Sequence, residues 1–143
     1  MAEIKDTDFL HYSLNEEKGL RDFDKEEISI EDYPLYWIRG IINYKEENLC
    51  LIAEIKNEKV GFLIAHLLKG VKDSILNNIF VIEKHRGIGI GNKLIREYER
   101  IIRKKGFKVS LCFINLDNKN AIRFHEENNY FGGYNFKFYQ KNL

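Results

Sequence analysis

An arginine and three glycines stand close together near the middle of the 143-residue chain, in the pattern Arg86-Gly87-x-Gly89-x-Gly91. An apolar run that predicts a strand precedes them, and a helical pattern follows. Glycines allow a backbone turn to expose its N–H groups at a helix N-terminus, where these donors and the helix dipole bind phosphate. Arg86 adds a fixed positive charge and a planar fork for phosphate oxygens. The pattern therefore predicts a diphosphate-binding loop.

Two common phosphate-binding motifs do not fit this loop. The dinucleotide fingerprint G-x-G-x-x-G would need glycine at Asn92 or at Leu94. The P-loop would need a lysine followed by serine or threonine after its glycines, and no such pair is present here. The pattern that does fit residues 86–91 is R-x-x-G-x-G, at the start of a predicted helix that connects two central strands.

A second, weaker motif follows at residues 118–130, with Asn118, Ala121, Phe124 and His125 at its characteristic positions. Together the two motifs resemble those of the GNAT superfamily of N-acetyltransferases, over about residues 49–139. The resemblance implies acetyl-coenzyme A as cosubstrate, with its pyrophosphate on the main-chain amides of the loop. It also implies that the preceding strand hydrogen-bonds the pantetheine arm and polarises the thioester carbonyl. The implied cofactor contacts are Phe80, Val81, Ile82, Arg86, Gly87, Ile88, Gly89, Ile90, Gly91, Asn92, Asn118 and Phe124.

His125 stands where this superfamily usually has the tyrosine that reprotonates the departing thiolate. A histidine has an ordinary pKa of about 6.5, so its charged form could stabilise a thiolate near neutral pH. Packing in the core or exposure to solvent is an equally weighted alternative. Direct attack by an amine needs no covalent enzyme intermediate, so Cys112 need not be a nucleophile. The general base is left open among Asp73, Glu83, His66 and a water held by Asn77 or Asn78.

The elements that must position these residues follow from hydrophobic periodicity. A capping box predicts a helix start at Ser13, and Pro34 predicts a second helix start. Strands are predicted at 49–55, 60–68, 74–82, a buried 108–114 and 134–139; helices are predicted after Gly89 and after Asp117 or Asn118. The expected fold is α+β (mixed α/β) in one domain, residues 1–143. Its mixed, mostly antiparallel sheet should splay between two parallel strands, as the resemblance implies, with flanking helices.

Composition limits the possible partners. The net charge of +1 offers no general attraction to nucleic acid or to an anionic membrane, and no apolar stretch approaches the length of a membrane span. Cys50 and Cys112 lack metal-site spacing and are expected to be reduced thiols, so no metal site is predicted. We expect a soluble cytoplasmic protein, either a monomer or a homodimer.

The net charge conceals an asymmetry between the two parts of the chain. Residues 1–58 carry 7 basic and 15 acidic side chains, and residues 59–143 carry 16 basic and 7 acidic ones. The basic part contains the loop for an anionic cofactor, and the acidic part could attract a cationic amine. The expected activity is acetyl transfer to a primary amine of a small molecule or a peptide. The alternative is an acyl-CoA-binding sensor with little turnover.

Overall fold

The structure is a computed structural model that describes residues 1–16 and 33–135. Within these ranges no helix is long and apolar enough to cross a bilayer. The helices are α1 (Thr7–Glu16), α2 (Leu35–Asn43), α3 (Ile90–Lys104) and α4 (Lys119–Glu127), with short 3₁₀ segments at Ile4–Asp6 and Glu83–His85. The strands are β1 (Asn48–Ile55), β2 (Glu58–Leu68), β3 (Asp73–Val81) and β4 (Val109–Cys112).

The four strands form one mixed sheet in the order β1-β2-β3-β4. Strands β1 and β2 pair as an antiparallel hairpin whose two turn residues, Lys56 and Asn57, have φ of 49° and 67°. Two consecutive positive φ angles are typical of the type I′ turn that matches strand twist. Strand β2 pairs antiparallel with β3, and β3 pairs parallel with β4 through α3. The predicted mixed, mostly antiparallel sheet is therefore confirmed.

Each face of the sheet carries its own hydrophobic core. Helix α3 packs on one face through Ile90, Leu94, Ile95, Tyr98 and Ile102. The opposite face is covered by side chains of α1 and α2, including Leu10, Leu14, Ile38, Ile41 and Ile42. This arrangement explains why the strands in the middle of the sheet are apolar on both faces. The sheet is thus the middle layer between α3 and the two N-terminal helices.

Three predicted elements differ from the structure. The first helix begins at Thr7 rather than at Ser13, which is a buried residue inside it. Strand β4 is shorter than predicted and is not buried: Val109 and Leu111 are 43% and 41% exposed, because in the described residues β4 is the last strand of the sheet. The predicted strand 134–139 begins at two residues that are not in a strand, and the rest of it lies outside the described residues.

Candidate active site

The parallel strands β3 and β4 pair over only four residues. The last pair is Leu76 with Cys112, and from there to Val81 β3 is paired with β2 but not with β4. The extra residue of a β-bulge, Asn77, follows the last pair, because Ile64 of β2 faces residue 78 while the next residue of β2 faces Leu76. A gap therefore opens beside residues 77–81 of β3, closed at Leu76 and Cys112 and open towards the glycine loop. The splayed sheet agrees with the expectation from sequence.

The main-chain groups of β3 that face this gap are those of Val81 and Ile79. The N–H of Ile82 donates to the carbonyl oxygen of Val60 on β2, over 2.9 Å. In an antiparallel ladder alternate residues point their N–H and C=O groups to opposite sides, so Phe80 also bonds towards β2. The main chains of Phe80 and Ile82, both expected from the sequence among the cofactor contacts, thus bond towards β2, whereas Ile79, which was not among the expected contacts, faces the gap. Only the pairing register of β2 with β3 shows which residues of β3 point their N–H and C=O groups into the gap.

The glycine loop connects the open end of the gap to α3. Gly87 and Gly89 have φ of 78° and 84°, which is a left-handed backbone conformation that residues with a Cβ disfavour. The first intrahelical hydrogen bond runs from the Lys93 N–H to the Gly89 carbonyl, over 3.1 Å. The N–H groups of Ile90, Gly91 and Asn92 therefore have no intrahelical acceptor. These donors and the positive end of the helix dipole form the anion-binding end of α3.

Helix α4 supports the first turn of α3. A Cβ at position 91 would lie 3.1 Å from two ring carbons of Phe124, so any side chain there would require the ring to shift by a few tenths of an ångström. The Asn128 amide donates to the Asn92 side-chain oxygen over 3.0 Å and to the Phe124 carbonyl over 2.8 Å. Asn118 caps α4 by accepting a 2.9 Å bond from the Ala121 N–H. Of the predicted second motif, Phe124 thus lies against the first turn of α3, and Asn118 caps the start of α4.

Arg86 folds back onto the end of β3. Its Nε donates a 2.8 Å hydrogen bond to the carbonyl oxygen of Val81, and its guanidinium carbon lies 5.7 Å from the centre of the Phe80 ring. The bond uses one of the five N–H donors of the side chain, and the residue is exposed. Arg86 therefore fixes the loop to the strand and keeps its positive charge beside the anion-binding end of α3. Ile88, at the tip of the loop, is 63% exposed.

His125 is buried on α4, at 6% exposure. Its Nδ1 lies 2.8 Å from the carbonyl oxygen of Ala121, so this nitrogen carries a proton and donates it there. The rings of Phe124 and Tyr130 contact the imidazole edge to face, with centroids 5.4 and 5.2 Å away. Burial lowers the pKa of His125 below its usual 6.5, and the bond to Ala121 opposes this effect. With Nδ1 as the donor to Ala121, the neutral form of this imidazole has no proton on Nε2.

The structure places the other groups considered for proton transfer, Asp73, His66 and Asn77, at separate positions on β2 and β3. Asp73 begins β3, eight residues from Val81, or about 26 Å along the strand. His66 contacts the side-chain oxygen of Asn48 through its Nδ1. Asn77, at the bulge, is exposed and lies at the closed end of the gap. Burial raises the pKa of the Cys112 thiol to about 11, so this cysteine is not a thiolate nucleophile at neutral pH.

An aromatic pair lies on the face of the sheet opposite α3. The rings of Tyr33 and Trp37 are 4.7 Å apart between centroids and pack, half-buried, against the core that contains Phe80. The Asn15 side chain holds this segment from α1: its amide donates to the Tyr33 carbonyl over 3.1 Å, and its oxygen accepts from the Tyr33 N–H over 2.7 Å. Tyr36, beside them, is 79% exposed.

The sequence matches the model of the acetyltransferase (GNAT) family over residues 10–130. It is 26% identical over 115 residues to an uncharacterized N-acetyltransferase of Methanocaldococcus jannaschii, covering 76% of this chain and 50% of that protein. The chain thus spans half the length of this curated relative.

Solved structures share the fold. An aminoglycoside acetyltransferase from an uncultured soil metagenomic sample, in complex with sisomicin, superposes with a TM-score of 0.68 at 19% identity, over 85% of this chain and 80% of that one. The PaiA N-acetyltransferase from Thermoplasma acidophilum, in complex with coenzyme A, superposes with a TM-score of 0.65 at 20% identity, over 89% and 84% of the two chains.

Proposed function

The chain belongs to the GNAT family of acetyltransferases, and from this membership we propose that it transfers an acetyl group from acetyl-coenzyme A to a primary amine. The amine attacks the thioester directly while both substrates are bound. One observation carries the proposal: the main-chain groups of Val81 and Ile79 face a gap in the sheet that opens at the N-terminus of α3.

The donor fits the residues along this path. The pyrophosphate would lie on the N–H groups of Ile90, Gly91 and Asn92, with Arg86 beside it. The pantetheine arm would enter the gap and accept a hydrogen bond from the Val81 N–H, since the Val81 carbonyl already accepts from Arg86. The Ile79 N–H then points at the thioester carbonyl, where an oxyanion develops during attack. Each of these groups is a donor fixed by the fold.

The acceptor would approach from the face of the sheet that carries α1 and α2. Tyr33 and Trp37 offer aromatic rings to a cation on that face, and residues 1–58 carry an excess of acidic side chains. One solved relative was crystallised with the aminoglycoside sisomicin. We therefore propose a cationic small-molecule amine as acceptor, with a peptide amine as the second possibility.

Proton transfer in this scheme does not pass through His125. The reacting ammonium first loses a proton to solvent, because only the neutral amine has a lone pair for attack. Attack then forms the C–N bond and leaves a positively charged nitrogen, and cleavage of the C–S bond leaves a thiolate. The nitrogen loses one proton and the thiolate gains one, so the reaction balances without an enzyme acid. Solvent at the exposed bulge residue Asn77 could carry this proton. Of the two roles weighed for His125 from the sequence, the proposal takes packing of α4, supported by its contacts with Phe124 and Tyr130.

Thiol release from acetyl-coenzyme A, measured with a panel of primary amines, tests the proposal. We expect release that depends on the amine, fastest with cationic amines, and weaker donor binding in Arg86→Ala. The alternative of an acyl-CoA sensor is motivated by β3, which has no carboxylate between Ser74 and Val81. Tight binding of coenzyme A without release by any amine would favour the sensor and overturn the proposal.

A further inference from the structure

A tyrosine hydroxyl joins β3 to β4 below the closed end of the gap. Ser74 and Ser110 are direct partners in the parallel ladder. The hydroxyl of Tyr98 on α3 is hydrogen-bonded to the Oγ atoms of both, with 2.7 Å to Ser110. Tyr98 and Ser74 are fully buried. We call these three residues the hydroxyl clasp.

The clasp lies two residues before the last pair of the ladder, Leu76 with Cys112. Beyond this pair comes the bulge at Asn77. After Leu76 and as far as Val81, about 17 Å along the strand, β3 has no partner residue on β4. Helix α3 carries both Tyr98 and the anion-binding N-terminus. It therefore connects the phosphate end of the site to the closed end of the gap. The hydrogen bonds of the clasp therefore hold β3 and β4 together just before the point where the two strands separate.

The hydroxyls of the clasp depend on each other. Buried polar groups require hydrogen-bond partners, and loss of one partner leaves the others unsatisfied. The ladder between β3 and β4 has only four residue pairs. Loss of the Tyr98 cross-link would therefore remove a large fraction of the interactions that join these two strands. A further hydroxyl, that of Tyr130, is hydrogen-bonded to Ser110 on β4 over 2.7 Å and does not bridge the two strands as Tyr98 does. It offers a matched control.

We propose that the hydroxyl clasp fixes the depth of the gap and thereby restricts the acyl donor to short acyl groups. This inference rests on the proposed function. A thioester held at Ile79 and Val81 directs its acyl chain towards Leu76 and Cys112, the pair that closes the gap. Tyr98 is a positioning residue, because it acts through the strands and does not touch the donor.

The test compares acetyl-, propionyl- and butyryl-coenzyme A with one amine acceptor. In wild type we expect kcat/KM to fall about tenfold or more with each added methylene, as in tight apolar pockets. Tyr98→Phe removes only the bridging hydroxyl and should reduce this discrimination at least about fivefold. Ser110→Ala should act in the same direction. Tyr130→Phe also removes one hydroxyl that bonds to Ser110, but it leaves Tyr98 bonded to both strands, so it should keep the wild-type ratio of donors.

The outcomes separate the inference from the function on which it rests. If wild type neither binds coenzyme A nor releases thiol, the proposed function fails and the inference fails with it. If wild type is active but does not discriminate among the donors, or if both clasp variants keep its discrimination, only the inference is overturned. An equal change in Tyr130→Phe would indicate general loosening and would also overturn it. Should Tyr98→Phe not fold, Ser74→Ala and Ser110→Ala decide.

Discussion

The Nε atom of Arg86 donates a hydrogen bond of 2.8 Å to the carbonyl oxygen of Val81. The arginine of the phosphate loop is thus joined to the strand residue whose main chain faces the gap. Its guanidinium has a defined position before any anion arrives, which reduces the entropy lost on binding. The two ends of the donor site, loop and strand, are in this way connected by one side chain.

This anchoring role predicts that charge alone will not replace Arg86. Lysine keeps the charge but has no Nε–H at the position that reaches Val81. We expect Arg86→Lys to weaken coenzyme A binding about tenfold, nearly as much as Arg86→Ala, measured by calorimetry. Arg39→Lys, on the exposed side of α2, is the control and should bind as wild type does. Full affinity in Arg86→Lys would refute the anchor.

The glycines of the loop should respond differently to alanine. In Gly91→Ala the new methyl group meets the Phe124 ring, so we expect a loss of about 1 kcal/mol in the free energy of unfolding. In Gly89→Ala no neighbour is close, but the φ of 84° costs roughly 1–2 kcal/mol. Urea denaturation in a Phe124→Leu background separates the two causes. The Gly91 penalty should shrink there while the Gly89 penalty persists; the reverse pattern would contradict this interpretation.

Asn128 should affect donor binding although it is not among the cofactor contacts predicted from the sequence. Its amide fixes Asn92, whose N–H belongs to the anion-binding end of α3. We expect Asn128→Ala to raise the KM for acetyl-coenzyme A several-fold with little change in kcat, and to cost about 1 kcal/mol of stability. The neighbouring Asn129 has φ of 64°, so Asn129→Gly should leave KM unchanged and stability equal or higher. Equal kinetics in the two variants would contradict a positioning role for Asn128.

The burial of His125 predicts a pH dependence of stability. Because burial lowers its pKa below 6.5 in the folded state, the unfolded chain binds more protons between pH 6.5 and that lower value. The stabilising effect of the neutral imidazole is therefore complete above pH 6.5 and decreases as the pH falls through this window. His125→Asn retains a donor for the Ala121 carbonyl and should show a flatter profile in urea titrations at pH 7.5 and 5.

The same variant tests the chemistry. General acid catalysis contributes about 10²–10⁴-fold, so loss of a true proton donor would lower kcat at least a hundredfold. We expect His125→Asn to keep kcat within about threefold of wild type. A hundredfold decrease in kcat with unchanged coenzyme A affinity would restore His125 as the acid.

The sequence by itself determined the features that depend on local chemistry. Glycine spacing and helical periodicity are properties of neighbouring residues, so the loop at 86–91 and the start of α3 could be predicted. The hairpin and the cap at Asn118 were predictable for the same reason. The family resemblance followed from the same residues, because its motifs are local patterns.

Only the tertiary structure decided which groups face the gap. A change of one residue in register exchanges the two sides of a strand, so the pairing of Ile82 with Val60 was needed to select Val81 and Ile79 over Phe80. The clasp joins residues 74, 98 and 110, which no local pattern relates. His125 has the same sequence position whether it is solvated or buried; only the tertiary structure shows that it is buried against Phe124 and Tyr130, and this burial lowers its pKa.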